Sequence, residues 1–135
     1  MGGRGRRGFV FGLGLLLAGQ AFAQEDLAAR VRKAQEAARA NAASPQGREW
    51  MQRHSSATDR LMIPLLNQCL PDPPGDIPTV FSVYVRLSPT GRAHEVVTEL
   101  SASLGQCMST AAREMKFPAA PREDYWIQVN MAAPL

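Results

Sequence analysis

Only two cysteines and two histidines occur among the 135 residues. Two cysteines exclude a disulfide-dense scaffold. Positions 54, 69, 94 and 107 contain none of the close His/Cys pairs that zinc sites use, so no metal is expected. No clustered Lys/Arg stripe with aromatic residues between its members is present, which removes nucleic acid as a partner class. No glycine-rich phosphate loop and no nucleophile elbow occurs, and no cofactor is expected. No apolar run reaches the roughly 20 residues that a comfortable membrane span requires.

What is present begins with a leader. Arg4, Arg6 and Arg7 form a basic start, an apolar run follows from Gly8 to about Gly19, and Ala21-Phe22-Ala23 is a small-x-small cleavage pattern. Residues 1–23 read as a cleaved secretory signal peptide, with Ala21 and Ala23 before the cut and Gln24 as the new N-terminus. The formal net charge is +3, and those three arginines account for it. The remaining chain is near neutral, so its charge gives no reason to expect a nucleic-acid or anionic-membrane partner. Export places the protein in the periplasm, with no integral span once the leader is gone.

Residues 24–43 are rich in alanine and charge, with a thin apolar stripe of Leu27, Val31, Ala34 and Ala38. They predict a helical but weakly packed segment. Residues 44–135 form the folded domain. Ser44-Pro45 is an N-cap followed by proline at the first helical position, opening a helix that runs to about Leu70. Pro64 is expected to kink or divide it. The connector Leu70-Pro71-Asp72-Pro73-Pro74-Gly75-Asp76 cannot continue a helix.

In residues 79–87, Phe81, Val83, Val85 and Leu87 alternate with Ser82, Tyr84 and Arg86, the period of a half-buried strand. Tyr84 and Arg86 are expected to meet solvent. Ser88-Pro89-Thr90-Gly91 is turn chemistry. A return strand over 92–100 places His94, Val96, Thr98 and Leu100 on one side; Glu95 and Glu99 are expected on a solvated face. Ser101 or Ser103 caps a helix whose apolar face holds Leu104, Cys107, Met108, Ala111, Ala112 and Met115, ending at Phe117-Pro118. The methionines at 51, 62, 108 and 115 read as core residues. A last strand, 125–131, alternates Tyr125, Ile127, Val129 and Met131 with Trp126, Gln128 and Asn130.

Cys107 sits among apolar neighbours, where a nucleophilic thiol with depressed pKa has no support. A disulfide between Cys69 and Cys107 is the remaining reading, suited to an exported chain with a small core. Neither catalytic residues nor a catalytic constellation is expected, so the protein reads as a binder and not an enzyme.

The stretches VFSVYVRLSPTGRAHEVVTELS, AAREMKFP and YWIQVNMA together resemble the C-terminal periplasmic domain of the TonB/TolA superfamily. The resemblance covers residues 77–131 and lies in the order of elements, the Pro-x-Gly-Arg turn and the basic-aromatic pair Lys116-Phe117. It implies an α+β fold: a small three-stranded antiparallel sheet, first strand central, with the helices packed on one face. It also implies that the last strand takes up an extended segment of a partner, another envelope protein or peptide, by strand addition. Tyr125, Trp126, Gln128 and Asn130 are then the partner-binding candidates. TonB and TolA proper are anchored and carry long spacers, whereas this chain reads as a free-standing domain. Two alternatives remain open: an envelope assembly factor that works through the helices over 25–70, and an orphan periplasmic enzyme.

Overall fold

The computed structural model describes residues 12–70 and 77–132, with side chains from Asp26 onward. Positions 1–11 of the expected leader and most of the proline-rich connector lie outside the described residues. Ala21, Ala23 and Gln24 fall on the backbone of a helix, and their side chains lie outside the description as well. Among the described residues no helix is long and apolar enough to cross a membrane.

Six elements follow in order: α1 (Gly12–Ala43), α2 (Pro45–Cys69), β1 (Val80–Leu87), β2 (Ala93–Thr98), α3 (Ala102–Ala112) and β3 (Tyr125–Ala132). Ser44 caps α2 by accepting the Gly47 amide at 3.0 Å, with Pro45 at the first helical position, where its missing N–H costs nothing. Contrary to expectation, α2 continues through Pro64. Pro64 and Arg60, whose carbonyl loses its donor, both lie on the exposed side, where water can serve that carbonyl. Ser101 caps α3 by accepting the Leu104 amide at 3.0 Å. The regular part of α3 ends at Ala112, a turn earlier than expected, and the chain tightens through Met115, which donates to Ala112.

The strands form one antiparallel sheet in the order β2-β1-β3, with β1 central. Phe81, Val83, Val85 and Leu87 of β1, Val96 of β2 and Ile127 and Val129 of β3 face α2 and α3, where Met62, Leu65, Leu66, Met108 and Ala112 complete the main core. Met51 and Met115 pack against its margin. The turn after β1 is fixed at Gly91, whose φ of 78° favours glycine and whose carbonyl accepts the Phe117 amide. A Cβ there would stand 2.5 Å from the Phe117 carbonyl oxygen.

The helices occupy both faces of the sheet, not one. The second face carries Tyr84 at its centre, and α1 buries it with Ala34, Ala38, Val31 and Trp126. Small alanine side chains let the helix axis approach closely over that phenol. Tyr84 is 1% exposed, so the expectation that it meets solvent fails. Residues 26–43 are accordingly a packed layer and not a loosely attached preface. Glu95 is also not freely solvated: its carboxylate lies 2.7 Å from Arg30 on α1 and 3.5 Å from Arg86.

Cys69 and Cys107 are joined, with Cα atoms 5.8 Å apart. The bond links the last residue of α2 to the middle of α3. Cys69 is half-buried and Cys107 exposed, so the cysteine at 107 lies at the rim of the helix and not inside its buried stripe. Gly105 takes the inner position, because α3 lies so close to β2 that a Cβ there would stand 3.2 Å from the Val96 carbonyl oxygen.

Candidate functional site: the outer edges of the sheet

A three-stranded sheet has two outer edges, and each presents a row of backbone donors and acceptors. In antiparallel pairing these point alternately toward the neighbour and away from it. Which residues point away is fixed here by side chains that reach the edge.

On β2, the Ser109 hydroxyl of α3 accepts the Val96 amide at 2.8 Å and donates to the Val96 carbonyl at 3.0 Å. A single hydroxyl thereby satisfies both outward groups of that residue. Next to it the pairing shifts: Arg86 faces Glu95 but Leu87 faces Ala93, so His94 is left over as a bulge. That bulge puts His94 outside, exposed, and off the side expected from strict alternation with Val96. Thr98, also fully buried, donates its hydroxyl to the Ser82 carbonyl at 3.1 Å. With Ser109 on Val96, the middle of the β2 edge is occupied.

β3 differs. It pairs with β1 without a break from Val80↔Ala132 to Leu87↔Tyr125. The outward groups belong to Trp126, Gln128, Asn130 and Ala132, since the Trp126 carbonyl accepts the Asn41 side-chain amide at 2.9 Å from outside the sheet. Asn41 is itself 4% exposed, and Arg122 donates to its Oδ1. The α1–α2 corner therefore crosses the β3 edge at Trp126. Beyond it, no hydrogen bond among the described residues reaches the outward backbone groups of Gln128 or Asn130.

The four candidate residues thus separate. Tyr125 is buried in the main core, 5.6 Å from Trp50 by ring centroid. Trp126 is half-covered by α1, with the Arg86 guanidinium 6.0 Å from its ring centroid, and Arg86 also bonds Asp124 at 2.8 Å. Gln128 and Asn130 alone offer both side chain and backbone. Their side chains form a neutral polar patch with Ser82: Gln128 donates to Ser82 Oγ at 3.1 Å and to Asn130 Oδ1 at 2.9 Å. The edge offers recognition by hydrogen bonding, with no charge on the strand itself.

Asn41 and Ser109, which decide how much of each edge is open, escaped the sequence reading. An asparagine near a helix end and a serine inside a helix carry no local sign of a distant partner. The titrating groups that shift are Tyr84 and Tyr125: burial pushes both phenols above the usual 10.0. For Tyr84 a hydrogen bond with Ser82 opposes that shift in part.

No protein-family model, curated protein or solved structure matches this chain.

Proposed function

We propose that this protein is a non-catalytic, exported binding module that takes an extended segment of another envelope protein as a fourth strand along the outer edge of β3. The observation that carries this reading is the unclaimed pair Gln128 and Asn130, set against a β2 edge whose middle is occupied by Ser109. Strand addition supplies affinity through backbone bonds and specificity through alternate side chains. Here the alternate positions facing α1 meet the Ser82–Gln128–Asn130 patch, which suits neutral polar side chains. The likeness of residues 77–131 to TonB/TolA C-terminal domains supports the same reading, without their anchor or long spacer. The docking stretch is shorter than that likeness implies, because Asn41 holds Trp126.

Proline at position 128 tests it. The Gln128 amide points outward, so Gln128→Pro removes an edge donor while leaving the β1 ladder bonded. In affinity capture from a periplasmic extract, the variant is expected to stay folded by circular dichroism and lose the captured protein. Retained capture by a folded Gln128→Pro would move the binding surface away from the β3 edge.

A further inference from the structure

A groove of about 650 Å³ runs outside β2, between α1 and α3. That volume falls in the range of small-molecule sites. Ala102, Gln106, Ser109 and Arg113 recur every three or four residues, so one face of α3 and its C-terminal cap supply one wall. The bulge in β2 supplies the second: His94, left over in the pairing with β1, stands exposed in the groove. α1 adds Leu27 and Arg30 on the far side.

An extended segment cannot pair with the floor of this groove, because Ser109 already holds both outward groups of Val96. Recognition there falls to side chains, and their charges are unbalanced. Glu95 is the one carboxylate among the described residues that line it. It is already committed, to Arg30 at 2.7 Å and to Arg86 at 3.5 Å. Arg113 and His94 form no ion pair among the described residues. Two arginines against one glutamate leave a surplus of +1 with His94 neutral.

The Arg113 guanidinium is a planar fork of N–H donors that matches both oxygens of a carboxylate. A single surplus charge suits a monocarboxylate, whereas a phosphate group carries about 1.5–2 negative charges at neutral pH. Leu27 and Ala102 offer apolar contact to the rest of such a molecule, and the Gln106 amide offers hydrogen bonds. We propose that this groove binds a small organic monocarboxylate, with its anionic group on Arg113 and Arg30 across the groove from it. No hydrogen bond among the described residues joins α1 to α3. The ligand bridges those two layers around the edge of the sheet and so helps to hold α1 over Tyr84.

Titration of the purified full chain with N-acetylglycine, followed in amide NMR spectra, tests the proposal. Saturable shifts are expected at His94, Gln106 and Arg113. N-acetylglycinamide, which lacks the charge, is expected to produce none of them. Arg113→Met should weaken binding by about tenfold or more, the loss of a charge-assisted hydrogen-bonded pair. Arg32→Met, an exposed position on α1 outside the groove, should leave binding unchanged. Circular dichroism verifies that both variants fold. Shifts that never saturate, that the amide reproduces, or that R32M reduces as far as R113M does show attraction to surface charge alone and overturn the site. Tighter binding of inorganic phosphate than of N-acetylglycine overturns the carboxylate assignment.

Discussion

The two edges of this sheet are built from similar strands and end in opposite states. β2 is occupied at its middle, where α3 comes within contact distance, Gly105 giving the space and Ser109 giving the hydrogen bonds to Val96. β3 is held at Trp126 by one asparagine, and among the described residues no hydrogen bond reaches its outward backbone groups at Gln128 or Asn130. The lesson is that an edge is protected by what packs beside it as much as by its own residues. A helix that follows a strand immediately in sequence can fold back over it. Here α3 follows β2 and folds back over it, whereas the α1–α2 corner reaches β3 at Trp126.

The largest expected effect bears on what keeps α3 in place. The disulfide ties α3 to α2 across a sequence separation of 38. Restricting the unfolded chain by a loop of that size contributes about 4 kcal/mol. Urea unfolding with and without a dithiol reductant should show a loss approaching that value, and C69A/C107A should reproduce it. An unchanged midpoint would mean that Met108 and Ala112 alone hold the helix on the core.

A smaller effect sharpens the edge comparison itself. Ser109→Ala strips both partners from buried Val96 and should cost about 1–3 kcal/mol. Amide exchange at Val96 should accelerate while exchange at Val83, inside the sheet, stays slow. If Val96 remains protected in that variant, the hydroxyl is not what closes β2.

The smallest effect concerns the two faces. Tyr84 lies under α1 and Tyr125 under the main core, and burial raises both pKa values above 10.0. A raised value in the folded state means that folding favours the protonated phenol. These groups therefore leave stability unchanged below about pH 10 and reduce it as pH rises past that point. Tyr84→Phe should remove one share of the alkaline loss, read from urea midpoints measured between neutral and alkaline pH. An identical alkaline slope in the variant would show that α1 gives no lasting cover to Tyr84.

Much of the fold was legible from local chemistry. The alternation in β1, the Ser44-Pro45 start, the Ser101 cap, the Pro-Thr-Gly turn and the Cys69–Cys107 pairing all follow from residues close in sequence or from scarcity. The misplaced side chains share one cause. Alternation along the strand assigns Tyr84 and Glu95 to solvent, yet α1, dozens of residues earlier, lies over them. Helical spacing assigns Cys107 to the buried stripe, whereas the close approach of Gly105 rotates that stripe and leaves the sulfur at the rim. Gln128 and Asn130 were legible as non-core residues of β3; that Tyr125 and Trp126 would be withdrawn from the same edge was not.

By itself the sequence determined the elements, the central strand's inward face and the covalent link, because period, caps, turn residues and a lone cysteine pair act over short range or by elimination. Only the tertiary structure decided which edge stays open and which face is covered. Those outcomes depend on where Asn41, Ser109 and α1 arrive in space, and the contacts that fix them join residues as far apart as 41 and 126. Nothing in either local neighbourhood encodes that meeting; the shared packing of both layers does.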